Sequence, residues 1–372
     1  MKTVPIFVVA VLSACFSYST AFVDCTVQCG DGCPDGLVCG AEGFCRAPGN
    51  EGQTCAEVLA DAGIDDISIP FAGCAALPLI CGPTGTESCC ESPIVTGGSF
   101  YRSYDVGTDG MYPSMSYPAT VSSFRLDKYE ITVGRFRQFV EAGMGTQENP
   151  PAAGAGGRKL NGATGQGRWD ATWNAVLEAD KTSLIAAVKC LDKWQTWTDV
   201  PGANESLPMN CITWFEATAF CTWDGGFLPT EAEWRYAAAG GDEQRAYPWS
   251  SPASSLTIDC SVANHGGGSP YCVNDPIGFT SRVGNSSPNG DGRWDQSDLG
   301  GNVYEWILDW YVSPYPTMSC NDCANLAGGT MRVHPGGAFG SNPLRLRGAN
   351  REFNHQPSYR EYNIGARCAR AP

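Results

Sequence analysis

Leu228-Pro229-Thr230-Glu231-Ala232-Glu233-Trp234-Arg235-Tyr236-Ala237-Ala238 is the stretch on which the reading of this chain turns. Thr230 and Glu233 have capping-box spacing: the hydroxyl accepts the N–H three residues on, and the glutamate returns to the threonine's own N–H. A short helix therefore starts here, and Trp234 and Tyr236 are the side chains it would turn inward. Thr213-x-x-Glu216 carries the same signal upstream. Further back, Phe124, Leu126 and Lys128 alternate with Arg125 and Asp127, which predicts a strand within 119–130. It leads into a helix over 132–142, with Thr132 as cap, Val133, Phe136 and Val140 on one face and Gly143 as stop. Residues 143–171 have no periodicity and read as a long loop, either shaping a binding face or tolerated as an insertion. After Gly240 turn signals replace helical ones, so the fold class is α+β with little regular secondary structure.

Composition agrees. The 372 residues are 42% hydrophobic, enough for a sizeable core, while 45 glycines, 25 prolines and only 17% charged residues disfavour helical bundles and coiled coils. A net charge of −15 would be repelled by a phosphate backbone, so nucleic acid is excluded as an expected partner. Six lysines against eighteen arginines favour planar, bidentate contacts, which gives many of the arginines a structural reading.

Nineteen cysteines behind a hydrophobic N-terminus point to an oxidising compartment. Lys2 precedes the apolar run Val4 to Leu12, too short to cross a bilayer, so residues 1–21 are expected to be an export signal. Leu12-Ser13-Ala14-Cys15 has the pattern of a bacterial lipoprotein lipobox, with Cys15 as the lipidated residue, and Ser19-Thr20-Ala21 has that of ordinary signal cleavage. A lipid anchor on Cys15 would be the route to a membrane; otherwise the protein is secreted. Either event leaves an even number of cysteines, all expected in bridges. Residues 22–91 form a Cys-rich disulfide module and linker, in which adjacent Cys89 and Cys90 are expected to bond different partners. Zinc is disfavoured there, since Cys25, Cys29 and Cys33 make no CxxC pair and have no histidine nearby.

From Ser92 to the C-terminus the texture is apolar and aromatic. The Leu228–Ala238 stretch, Gly301-Asn302-Val303-Tyr304-Glu305-Trp306 with Asp309-Trp310, Gly336-Gly337-Ala338-Phe339 and Gly365-Ala366-Arg367-Cys368 follow one another in an order that resembles the sulfatase-modifying-factor domain of formylglycine-generating enzymes. Each motif alone could be core or turn; it is the joint order over residues 92–372 that carries the resemblance. It implies a calcium-containing variant of the C-type-lectin fold.

Active members of the resembled family carry two copper-binding cysteines beyond the Gly-Gly motif. Here Ser341 stands at the first position and the second falls in a gap, and a hydroxyl is no soft ligand for copper(I), so neither copper nor the family's oxidase reaction is expected. Iron held by histidines is disfavoured because His265, His334 and His355 are scattered. The resemblance places one calcium at Asn264 and Asp275 with the carbonyls of His265 and Ile277. It places a second at Glu305 with carbonyls around Gly300, Gly301 and Val303, where the alternative is that Asp275 and Glu305 pair with arginines. It also pairs Cys221 with Cys368 and maps a second family disulfide onto Ala238 and Gly348, both cysteines missing together. Cys190 with Cys211, Cys260 with Cys272 and Cys320 with Cys323 are plausible local bridges. A redox role for Cys320-x-x-Cys323 lacks the strand-to-helix context of such motifs.

Three functions follow for test. The first is an exported, calcium-stabilised non-oxidase that binds a protein, peptide or glycan in a groove formed by Trp294, Tyr304, Trp306, Arg345, Arg347 and Arg351, with Arg360 beside them. The second is an oxidase acting on protein cysteines, and the third a surface structural or assembly protein. For the arginines, the competing reading is that they brace the core through carboxylates.

Overall fold

The alternation within 119–130 resolves into two short strands rather than one in the computed structural model. That model describes residues 71–372 apart from 76, 158–159, 161–166, 267–271, 273–278, 316–319, 328 and 353. It also describes the strands β1 (Val38–Cys39) and β2 (Cys45–Arg46), which pair antiparallel. The expected export signal, Cys15 and most of the Cys-rich module lie outside the described residues. The chain divides into two units, Met1–Ile69 and Pro70–Pro372.

In the larger unit, β3 (Ile94–Val95), β4 (Gly98–Tyr101), β5 (Pro118–Val121) and β6 (Phe124–Leu126) precede helix α1 (Val133–Glu141). The Thr132 hydroxyl caps α1 by accepting from Arg135 N, and Gly143 ends it in the left-handed region at φ +73°. The 143–171 segment is anchored by Trp169, which is 2% exposed, and runs on to α2 (Lys181–Ala187). Helices α3 (Trp214–Trp223) and α4 (Glu231–Ala238) both begin with complete capping boxes. Beyond Gly240 the described residues form two short 3-10 helices, Gly241–Glu243 and Pro343–Leu346, and short strands: β7 (Tyr304–Trp306), β8 (Cys320–Asn321), β9 (Arg332–Val333), β10 (Asn354–His355), β11 (Ile364–Ala366) and β12 (Ala369–Arg370).

These strands make small sheets that tie distant sequence together: β12-β6-β3, β4-β5-β8, β11 parallel to β7, and β10 with β9. The main core packs Phe136 and Phe139 of α1 on Trp214 and Phe220 of α3, with Trp306 of β7. A second core sets Trp234 and Tyr236 of α4 against Phe100, Phe124 and Leu126. Each fully buried side chain of this size contributes roughly 1.5–3 kcal/mol.

Where such short elements cannot supply enough core, arginine–carboxylate pairs and disulfides brace them. Arg135 donates to Asp127 and Asp224, and Arg370 to the same two carboxylates. Six bridges join the described cysteines from residue 71 onward: Cys74–Cys90, Cys81–Cys89, Cys190–Cys211, Cys221–Cys368, Cys260–Cys272 and Cys320–Cys323. Cys89 and Cys90 thus bond different partners. The segment before Ser92, grouped by composition with the Cys-rich module, packs onto the larger unit: Gly73 N donates to Asp224, and Lys128 and Tyr129 donate to Glu87.

Candidate functional site

Two consecutive left-handed glycines, Gly336 at φ +100° and Gly337 at φ +75°, turn the chain after β9 so that Ala338 to Ser341 fold back on β7. A Cβ on Gly337 would lie 2.8 Å from Leu346 Cδ1, so the turn admits no side chain there. Phe339 N donates to Asn302 O, and Ser341 N to Ala338 O. The Ser341 hydroxyl accepts from Ala338 N at 3.0 Å and donates to Tyr304 Oη at 3.0 Å.

Ser341 and Tyr304 face a cavity of about 210 Å³ that is also lined by His334, Phe339, Arg345, His355, Glu361 and Tyr362. Pairing of β10 with β9 brings the two histidines together: His334 Nε2 lies 2.7 Å from His355 Nδ1 with the rings stacked at 4.9 Å. Burial, and then the neighbouring His355, push the His334 imidazole down to about 3, and burial lowers His355 as well. Both shifts favour the uncharged imidazoles, and the contact between them suits an N–H of one ring donating to the ring nitrogen of the other. Beyond the cavity, Phe339 and Tyr362 continue into an aromatic cluster with half-buried Trp194 and Phe279, whose rings stack at 3.7 Å.

Ser341 Oγ bonds a backbone amide and a phenol, and burial raises the Tyr304 phenol above its ordinary value, so the pair contains no base to activate the hydroxyl. The described cysteines from residue 71 onward are all in bridges, and none lines the cavity.

Of the residues expected in the groove, Tyr304 and Arg345 line the cavity and the others are dispersed. Trp306 is fully buried, donating to Ile212 O. Arg347 is locked on Asp105 and Asp109, and Arg351 on Glu231, stacked over Tyr315. Arg360 pairs with Glu216 and Glu178, and Trp294 stacks on Tyr236. The groove assignment is corrected accordingly. Arginine and aromatic residues serve ion pairs and cores as readily as ligand sites, and their spacing does not say which. His334, His355, Phe339, Glu361 and Tyr362 were missed; His334, two residues before Gly336-Gly337, was the one with a local signal.

Residues 81–372 match the sulfatase-modifying factor enzyme 1-like domain. The chain belongs to this family. The formylglycine-generating enzyme of Mus musculus is 29% identical over 278 residues, covering 70% of this chain and 69% of that protein. The inactive C-alpha-formylglycine-generating enzyme 2 of the same species is 27% identical over 291 residues, covering 73% and 83%. Among solved structures, PvdO from Pseudomonas aeruginosa superposes with a TM-score of 0.51 at 22% identity, over 75% of this chain and 93% of that one, a likeness of fold. The fold is thus the α+β, formylglycine-generating-enzyme-like class with little regular secondary structure.

In the sulfatase-modifying-factor domain the two positions onto which the resemblance maps a second disulfide lie against each other: a Cβ on Gly348 would be 3.1 Å from the Cβ of Ala238. The expected calcium ligands divide. Asn264 is 3% exposed and its Oδ1 is buried without a hydrogen-bond partner, an oxygen that fits a cation; His265 adjoins it, and Asp275 and Ile277 lie outside the described residues. At Glu305 the donor set does not fit. Both carboxylate oxygens accept from Arg367 and one also from Trp234 Nε1, which is the arginine pairing posed as the alternative. The carboxylate that meets the backbone of the Gly300–Val303 turn is Glu130, unforeseen from sequence, which accepts from Asn302 Nδ2 and Val303 N.

Proposed function

We propose that this sulfatase-modifying-factor domain is a binding module and not an oxidase, taking a small polar group of a protein, peptide or glycan into the cavity around Ser341. The single observation that carries the reading is the chemistry of that cavity: hydroxyl, phenol, imidazole and guanidinium groups converge where the family's copper-binding thiols would be, and no thiol is among them. The protein is exported, through the hydrophobic N-terminus, and is stabilised by one calcium at Asn264, whose buried Oδ1 is aimed at no donor.

Two measurements test it. Incubation with copper(I) and a sulfatase-type cysteine peptide, read by mass spectrometry, should give no more formylglycine than a blank without protein; turnover would reinstate the oxidase. Crystals soaked with peptides and glycans should show density in the Ser341 cavity, and Ser341→Trp, which fills it, should abolish binding in solution. Binding that survives Ser341→Trp would move the site elsewhere.

A further inference from the structure

Arg102 follows directly on β4 and is 6% exposed, yet no carboxylate among the described residues pairs with its guanidinium. It stacks 4.6 Å over the Tyr315 ring, its Nε is buried without a hydrogen-bond partner, and its Nη1 donates to a sulfur, Cys323 Sγ, at 3.8 Å. A buried cation is normally matched by an anion, and a disulfide sulfur is a weak acceptor. The anion that would match Arg102 is one that exists only after the bridge opens: the Cys323 thiolate.

We infer that Cys320–Cys323 is a redox-active disulfide, with Arg102 supplying the thiolate stabilisation that makes it exchange with the dithiol of a partner protein. The sheet β4-β5-β8 builds the arrangement, since β5 pairs with both strands and sets Arg102 across from the Cys320-x-x-Cys323 loop. Cys320 is buried in β8 and Cys323 is half-buried beyond it, so Cys323 is the sulfur a partner can reach. Asp322, between them in the left-handed region at φ +44°, turns its carboxylate away from the sulfurs onto the Ser122 amide and hydroxyl. Thioredoxin-type motifs lower a thiol with a helix N-terminus; no helix starts here, and the guanidinium takes that role.

The exchange balances as follows. A partner thiolate attacks Cys323 Sγ, the Cys320–Cys323 bond breaks, and Cys320 leaves as a thiolate that takes up a proton. The partner's second thiolate then attacks its own sulfur in the mixed disulfide and releases Cys323 as a thiolate beside Arg102. The partner dithiol is oxidised to a disulfide, and the Cys320–Cys323 pair is reduced by the same two electrons.

The test equilibrates the full-length protein in graded reduced and oxidised glutathione, quenches with an alkylating agent and maps the labelled cysteines by mass spectrometry. Cys320 and Cys323 should open at a glutathione ratio at least tenfold less reducing than the other described bridges require. Arg102→Gln should make that pair at least tenfold harder to reduce, and Arg102→Lys should restore most of the effect. A pair that opens only together with the other bridges, or is unchanged in Arg102→Gln, would overturn the inference. Should Arg102→Gln not fold, Cys320→Ala decides: its free Cys323 should react with an aromatic disulfide reagent at pH 7 at least tenfold faster than free glutathione, and an equal or slower rate would overturn the inference.

Discussion

Glu305 shows how much one buried residue can hold. Its carboxylate receives Arg367 Nε at 2.8 Å and Nη2 at 2.6 Å, and Trp234 Nε1 at 2.7 Å, joining β7, the segment after β11 and α4. Arg367 also donates to the carbonyls of Asp127, Lys128 and Ser297. Glu305→Gln leaves that guanidinium buried without its counter-ion, which costs about 3–5 kcal/mol. Urea denaturation should show the loss equally with calcium and with chelator; a loss confined to calcium buffer would instead make Glu305 a ligand. Asn264 gives the opposite expectation. With the proposed calcium on its orphaned Oδ1, chelation should lower the melting temperature of the native protein, and Asn264→Ala should abolish most of that chelator effect in a thermal scan. No shift on chelation would remove calcium from the account of this domain.

Among the elements, α4 is the most heavily tied. Glu231 in its first turn accepts from Arg235 Nε at 2.8 Å, Arg351 Nε at 2.6 Å and Tyr315 Oη at 2.6 Å. Burial alone would raise this carboxyl, but Arg235 and Arg351 outweigh it and hold it at about 2, below an ordinary value of 4.5. A depressed carboxylate pKa contributes stability that is fully present above about 4.5 and lost as pH falls toward 2. The stability gap between the native protein and Glu231→Gln should therefore be constant from pH 7 to about 5 and shrink below it, measured by denaturant titration at each pH. A gap that held to pH 2.5 would show that Glu231 acts through packing. The existence of α4, and of α3, was legible in sequence because a capping box is satisfied within four residues. The partners of Glu231 were not, since Arg351 arrives from 120 residues away.

For the whole molecule, Cys221–Cys368 closes the longest described loop, a separation of 147 residues, and fastens α3 to the segment between β11 and β12. Replacing both cysteines by alanine should cost about 2–5 kcal/mol, mostly through the freed unfolded chain, and lower the denaturation midpoint without abolishing the fold. A cost below about 1 kcal/mol would mean that the arginine network alone holds this junction. That network is the tertiary counterpart of the arginine bias: Arg135, Arg347, Arg360, Arg367 and Arg370 all end on carboxylates.

The sequence by itself determined the class of fold, the starts of α1, α3 and α4, the candidate bridges Cys190–Cys211, Cys260–Cys272 and Cys320–Cys323, and the absence of thiols after Gly336-Gly337, because each rests on residues near one another in the chain or on a motif order that needs no coordinates. Only the tertiary structure decided which side chains share a site. The pairing of β10 with β9 put His334 on His355, β7 beside β11 put Tyr304 on the Ser341 cavity, and the sheet joining β4 to β8 through β5 set Arg102 against Cys323. The same long-range packing withdrew Trp306, Arg347 and Arg351 from the expected groove. Residue type states what a side chain can do, whereas the partner it meets is set by chain closure over a hundred residues or more, for which local spacing carries no signal.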